Sequence, residues 1–583
     1  MSPFELKDYL ITLAKENQQT AALTMLNAGR GNPNWIATEP RDAFFLLGQF
    51  AMKEARRVRD DAILAGMPAK KGCADRLRKF LSKHKGEDGY DFLVGVLEYG
   101  VKIKSFDPDE WIHELTDSII GDNYPVPPRA LVHIEQIVHD YLVKEMCDGR
   151  PPKGKFDLFP VEGGTAAMCY IFDSLMQNGL LKQGDTIALF LPTFTPYIEI
   201  AHLERFQFKI VAINASSLRA DGTHDWHYPA TEIAKLENPK IKLAVTVNPS
   251  NPPSVAFSPV EMKQIVRLIR KNPDLVLVTD DVYGTFVPNF RSLMAEVPHN
   301  TICVYSFSKN FGCTGWRLGV IAIHEKNTMD RRIAELPASW KQRLNKRYGA
   351  MTMEPEKLKF IDRMVADSRN VALNHTAGLS LPQQVQMGFF ALSHLLDLKD
   401  AYKHLTMEIV RARRDALWSG LGIPLPPEDP MRGWYYVELD FMVWAKIMYG
   451  DAFCKYMTTN YEPVDFLFRL AEKSGVVLMD GGGFGGPPWS IRISLANLDD
   501  ADYAKIGKYM VECATEYVEA WKASELVRSG PTAGKGQTVR AGAAKRVAKK
   551  AAKKVAKTAV KKAVKQAVSY THLTLPTKRI VKI

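Results

Sequence analysis

Residues 304–319 read VYSFSKNFGCTGWRLG, and this stretch decides the fold. Lys309 sits just past a short apolar run and is flanked by small and aromatic residues. A lone lysine beside a strand ordinarily snorkels its ammonium into water, but these neighbours leave it little water to reach. Desolvation lowers a lysine's pKa and frees the neutral amine for Schiff-base chemistry. Arg317, eight residues on, suits bidentate binding of a phosphate.

Outward from Lys309, short apolar runs recur at Asp185–Leu191, Phe208–Ile213, Lys242–Val247, Leu275–Thr279 and Ile302–Tyr305, most of them β-branched and bounded by Pro, Asp or Asn. Helix-like stretches such as Pro259–Arg270 lie between several of them. Continuous apolar runs alternating with helices predict an α/β fold with a buried, mostly parallel sheet. Helical periodicity precedes it, as over Pro40–Arg59, and follows it over Glu356–Gly420. The strands YYVEL and SIRISLAN then mark a smaller α+β part. The division expected is a helical extension with part of a small domain over 1–150, the large-domain core over 151–350, a helical continuation over 351–420, a C-terminal small domain over 421–528, and a basic, disordered tail over 529–583.

The 583 residues are 46% apolar and 24% charged, an ordinary globular composition. There is no run of 18 apolar residues and the N-terminus has no secretory pattern, so no membrane partner and a cytoplasmic location are expected. The seven cysteines form no CxxC pair, which argues against a disulfide framework or metal site. The net charge of +12 belongs to the tail. From Arg540 on there are 11 Lys, 3 Arg and no acid, which leaves the rest near −2. Ala543–Val568 is a Lys/Ala/Val tract: either a solvated tail or a nucleic-acid contact. Ser569–Ile583 changes composition again and reads as foreign to what precedes it.

Polar clusters end the strands, where open α/β sheets place ligands. In PVEGGTAAM, Gly163, Gly164 and Thr165 open a helix, either as a phosphate-binding turn or as a plain glycine-rich start. In LPTFTPY, Phe194 either stacks on a flat ring or fills core. VNPSNPPS holds Asn251 between X-Pro steps that keep a loop extended. In VTDDVYGTF, Asp280 ends an apolar strand and needs a cation, which a protonated ring nitrogen or a structural Arg would supply.

Taken together, these motifs resemble the pyridoxal-phosphate (PLP) fold type I, or aspartate-aminotransferase, superfamily. SFSKNFGCTGWR matches its lysine pattern S-x-[SA]-K-x-x-G-x-x-G-x-R. The resemblance implies that Lys309 carries PLP, and that Ser306, Arg317, Gly163, Gly164 and Thr165 bind its phosphate. It further implies that Asp280 pairs with the ring nitrogen, Tyr283 and Asn251 with the phenolic oxygen, and that Phe194 stacks. WSIRIS implies that Arg492 holds a substrate carboxylate. NPPS, Asn251–Ser254, departs from the family's N-P-T-G, leaving the loop's shape open.

The length and most of the chain up to Leu526 resemble the aspartate 4-decarboxylases (aspartate β-decarboxylases). This implies conversion of L-aspartate to L-alanine and CO2 with an aspartate aminotransferase side activity. The alternative is a class I/II aminotransferase acting on aspartate or another amino acid. AGRGNPNW, Ala28–Trp35, resembles that family's substrate-lining segment and makes Arg30 the candidate for the β-carboxylate. The resemblance also implies that Tyr124 reaches a neighbouring subunit's phosphate, and that the chain forms a homo-oligomer, a dimer at least and up to a dodecamer. A regulator on this fold would carry a basic recognition helix, which residues 1–150 lack. Removing residues 530–583 is expected to leave turnover unchanged. Assaying turnover and DNA retention side by side checks this and separates the tail from the enzyme.

Overall fold

The computed structural model describes residues 2–21, 25–60, 65–125, 129–372 and 377–529. The basic tract beyond lies outside the described residues. Two units are distinguished, Met1–Val518 and Glu519–Ile583, and of the second only helical residues up to Ser529 are described.

Seven strands build the main sheet: β1 (Phe156–Val161), β2 (Thr186–Leu191), β3 (Lys209–Asn214), β4 (Ile241–Val247), β5 (Val276–Asp280), β6 (Thr301–Ser306) and β7 (Gly319–His324). Their order is β1-β7-β6-β5-β4-β2-β3. Only β7 runs antiparallel to its neighbours. Strands β2 to β6 fall within two residues of the expected runs. They are legible because the interior ones are buried on both faces, as every residue of β5 and β6 is. The other two, β1 and β7, escape that reading: FDLFPV mixes an acid and a proline into its run, and GVIAIH follows Arg317 without a helical spacer. Pro160 is tolerated because β1 is an edge strand.

Parallel strands bring their carboxyl ends to one rim, so Leu191, Val247, Asp280 and Ser306 meet along it. The helix Pro259–Lys271 forms where expected. Its proline, Pro259, occupies the first turn, where no backbone donor is lost. Ser258 and Glu261 close a capping box, a contact type that stabilises by about 1 kcal/mol.

Helices α1 (Pro3–Ala21), α2 (Glu39–Asp60), α3 (Pro108–Ile120) and α4 (Val132–Met146) precede the sheet, and α5 (Gly164–Gln177), α6 (Thr195–His202) and α7 (Leu381–Leu396) follow its first strands. Helix α7 packs on α2, α3 and α4. Phe44, Leu47, Trp111, Ile134 and Phe389 share a core with Phe307 and Phe311, which lie just before and after Lys309. The chain's beginning and its late helix are thus packed behind the lysine turn. Helix α1 instead packs against Asp465–Ser474. Beside that helix, β8 (Tyr436–Asp440), β9 (Met479–Asp480) and β10 (Ser490–Ser494) form an antiparallel sheet in the order β9-β10-β8. In it Arg492 stands opposite Glu438, and Ser494 opposite Tyr436.

The lysine turn is locked to the N-terminal segment. Trp35 Nε1 donates to Asn310 O (2.9 Å) and Ala37 N to Phe311 O (3.3 Å). Gly312 holds φ +57°, and a Cβ there would run into the Trp35 carbonyl. Gly312→Ala is therefore expected to cost about 2 kcal/mol or more through left-handed strain plus the clash, read as a lowered melting temperature.

Candidate active site

Lys309 Nζ donates to the backbone carbonyl of Gly31 at 2.8 Å. The same carbonyl accepts from Tyr435 OH at 2.9 Å. A segment 278 residues away in sequence thus fixes the amine where β6 delivers it. The Tyr435 ring stands 6.0 Å from Nζ, within cation–π range.

Asp280, at the end of β5, is buried. Tyr197 OH donates to its Oδ2 at 3.1 Å, and Val282 N to Oδ1 at 3.4 Å. Burial pushes its carboxyl up to about 6, against the Tyr197 and Val282 hydrogen bonds and the Lys309 charge, which pull it down. Among the described residues no cation lies within ion-pair distance of it. The neighbouring Asp281 is spent structurally: Thr279, Ser292 and Cys303 all donate to it, and burial pushes it up to about 7.

Gly163 precedes α5 with φ +84°, and a Cβ there would lie 2.5 Å from Arg317 Nη2. The left-handed φ favours glycine here, and any side chain would have to displace the guanidinium. Among the described residues, Arg317 Nη1 and Nη2 donate only to the carbonyls of Thr314 and Glu162, both at 3.3 Å. Its charge has no carboxylate within 4.0 Å among the described residues. A Cβ at Gly164 would lie 3.8 Å from Asp280 Oδ2, so the helix start, Arg317 and Asp280 share one corner. Thr165 is exposed in the first turn of α5, whose free N–H groups and dipole favour an anion. Ser306 is buried beside them, its hydroxyl 3.1 Å from that of Ser308. Phe194 lies one residue ahead of α6, with the Tyr197 ring 6.3 Å away and Phe4 of α1 edge-on at 6.2 Å.

On the other side, Tyr283 OH donates to Tyr436 OH at 3.3 Å. Burial drives Tyr283 well above its ordinary pKa. Burial acts on Tyr436 too, but the nearby Lys309 and Arg492 charges, with the Tyr283 hydrogen bond, hold it below 10. Arg492 is buried, its guanidinium stacked between Tyr436 (4.4 Å) and Phe484 (4.8 Å). Its Nη2 donates to Gly29 O at 2.9 Å, and Nη1 reaches Asn251 Oδ1 at 3.5 Å. Its Nε and the Asn248 Nδ2 are buried without a hydrogen-bond partner among the described residues. The Asn251–Ser254 loop is a turn rather than an extended strap: Ser254 holds φ +60° and its N donates to Ser250 O at 2.7 Å. X-Pro steps restrict single residues but leave the chain free to reverse between them.

Lys309, Asp280, Gly163, Gly164, Arg317, Asn251, Tyr283 and Arg492 are thus linked into one cluster. Arg30 is exposed, between two glycines whose carbonyls hold Lys309 and Arg492. Tyr124 is 75% exposed and joins none of these hydrogen bonds. Sequence reasoning passed over Tyr197, Tyr435, Tyr436 and the Gly31 carbonyl. Tyr197 could have been found, since it lies about one helical turn beyond Phe194. The carbonyl carries no side-chain signature.

The donor set fits PLP. Arg317 and the α5 terminus offer uncommitted positive charge for a phosphate, Asp280 lacks a cation that a protonated ring nitrogen supplies, and Lys309 presents an amine. Arg492 Nε and Asn248 Nδ2 are left to face further acceptors.

The family described as aminotransferase class I and II matches residues 161–508. A protein of Pseudomonas sp described as a bifunctional aspartate aminotransferase and L-aspartate beta-decarboxylase is 46% identical over 526 residues, covering 90% of this chain and 97% of that protein. Among solved structures, an aspartate aminotransferase of Thermus thermophilus with maleate has a TM-score of 0.53 at 15% identity, over 87% of this chain and 96% of its own. The aspartate aminotransferase of Rhizobium meliloti gives 0.54 at 15%, over 88% and 96%. These two establish the fold.

The buried carboxyl sets a pH dependence. Its folded value of about 6 lies above the ordinary 3.8, so the cost of ionising it is absent below 3.8, grows between 3.8 and 6, and is complete above 6. That cost is about 3 kcal/mol. In cofactor-stripped protein, Asp280→Asn should therefore gain melting temperature relative to the parent as pH rises from 4 to 7, measured by thermal denaturation at each pH.

Proposed function

The chain belongs to the class I and II aminotransferase family, and from that premise we propose that it is a PLP-dependent L-aspartate β-decarboxylase that also transaminates aspartate. The observation that carries this reading is the 46% identity running through 97% of the bifunctional Pseudomonas protein. The cluster around Lys309 supports it.

When bound, PLP supplies an aldehyde that captures an amine covalently and a ring that delocalises the electron pair left on a substrate carbon when a proton or CO2 departs. Lys309 holds the cofactor at rest. Displaced from it, the amine is the base that takes the proton from the substrate α-carbon, and the Gly31 carbonyl and Tyr435 OH limit where Nζ travels. Asp280, steadied by Tyr197, keeps a proton on the ring nitrogen. Arg317, Ser306, Gly163, Gly164 and Thr165 would hold the phosphate, Asn251 and Tyr283 the phenolic oxygen, and Phe194 the ring. Arg492 pairs with the α-carboxylate, pre-oriented by Gly29 O and the Tyr436 and Phe484 rings. Arg30 takes the β-carboxylate: its flanking residues already touch Arg492 and Lys309, so a modest swing of an exposed side chain reaches the same space. Release of that carboxylate as CO2, with a proton added to the β-carbon in its place, leaves alanine as product.

The active assembly is a homo-oligomer of at least two copies in the cytoplasm, with Tyr124 reaching a neighbour's phosphate. Its exposure supports that role. Residues 151–350 form the cofactor-binding core, with the small domain drawn from both ends of the chain.

Purified protein with PLP and L-aspartate is expected to release CO2 and alanine in equal amounts, and amino transfer to a keto acid should be the smaller flux. Transfer without CO2 would establish a plain aminotransferase instead. Lys309→Ala should abolish both reactions and the covalent retention of cofactor seen by mass spectrometry after borohydride treatment. Arg492→Lys, which loses the fork, should raise the KM for aspartate by about tenfold or more, a loss of roughly 1.4 kcal/mol or greater.

A further inference from the structure

A second cavity, of about 420 Å³, opens beside β8. None of Lys309, Asp280, Asn251, Arg317 and Arg492 lines it. Its volume is in the range of small-molecule sites. Trp226, Trp418 and Trp444 give it an aromatic wall and are each less than 10% exposed. Leu425, Ile447 and Met448, which are 46%, 57% and 42% exposed, gather at the same cavity. Large apolar side chains exposed together mark a contact surface.

The polar atoms are the decisive feature. Arg432 Nε, Trp444 Nε1, Glu438 Oε2 and His224 Nδ1 all belong to residues lining this cavity, and each is buried without a hydrogen-bond partner among the described residues. Buried polar atoms are nearly always paired, so four orphans on the residues around one cavity single this surface out. Two of the four, Arg432 Nε and the Trp444 indole nitrogen, are donors at neutral pH. Glu438 Oε1 lies 2.8 Å from Ser490 Oγ, and burial pushes this carboxyl up to about 8 against the pull of that hydrogen bond. His224 Nε2 faces Asp440 Oδ2 at 3.0 Å, which leaves Nδ1 for a further partner.

The charges agree. The Arg432 guanidinium is stacked on Trp434 at 3.9 Å and has no carboxylate within 4.0 Å among the described residues. Asp429, the acid nearest to it in sequence, is engaged by His227 Nε2 at 3.1 Å. Arg219 lines the same cavity and adds a second cation. The remaining acids are Asp440, held by His224 and the Met442 and Val443 N–H groups, and Asp221, exposed at the rim.

We propose that this cavity binds a small amphipathic carboxylate, with its anionic end on Arg432, Arg219 and Trp444 Nε1 and its aromatic or branched apolar body against the tryptophan wall. The inference stands independently of the reaction at Lys309.

The test titrates holoenzyme with 3-phenylpropionate, following tryptophan fluorescence and equilibrium dialysis, with 3-phenylpropanol and 3-phenylpropylamine as the neutral and cationic counterparts. Saturable binding of the acid, about tenfold tighter than of either counterpart, is expected. Val443→Trp, which fills the cavity, and Arg219→Ala, which removes its more accessible cation, should each weaken it by about tenfold or more, with aspartate turnover kept as the check on folding. Arg492→Lys should leave it unchanged. Equal binding of the alcohol, absence of saturation, indifference to Val443→Trp, or loss in Arg492→Lys alone would overturn the proposal, the last by assigning the acid to the substrate pocket.

Discussion

A carboxylate at the end of a strand buried on both faces is costly unless positive charge comes to it. Asp280 is such a group, and the protein offers it a tyrosine hydroxyl, one backbone N–H and the distant field of Lys309. The positive charge it needs is instead spread around it, on Lys309, Arg317 and Arg492, none close enough to pair. The result is a cleft of matched but separated charges, whose compensation is completed by a bound molecule rather than by the fold. That arrangement withholds stability from the chain alone and returns it as affinity, a pattern that places perturbed groups at functional centres.

The rest of the architecture serves to keep those charges apart and in place. The parallel strands bring Asp280 and the lysine turn to one rim. The antiparallel β8–β10 sheet brings Arg492 and Tyr436 from the other end of the chain. Aromatic rings do the spacing: Tyr435 and Tyr436 lie between Lys309 and Arg492, and ring stacking lets a guanidinium be buried without a carboxylate partner.

What was legible in the sequence follows from how each signal is carried. The interior strands between Thr186 and Ser306 announce themselves because burial on both faces demands unbroken apolar runs. Lys309, Asp280, Arg317 and Arg492 announce themselves because charged groups beside such runs need a reason. Tyr197 was hidden by a helix that also reads as packing, β7 by its place directly after a motif, and the Gly31 carbonyl by being backbone. The cavity beside β8 was invisible for another reason: its polar atoms come from positions 224, 432, 438 and 444, and only the fold shows that no neighbour satisfies them.

The segment around Gly31 has a wider meaning for how such a molecule is made. Its carbonyls touch Lys309 and Arg492, so residues 278 and 463 positions away must both arrive before the two contacts can form. The central sheet has all its strands once residue 324 has been synthesised, whereas the Gly29 contact waits for Arg492. A chain that stops short of Arg492 can therefore complete its central sheet and still lack one of these two contacts.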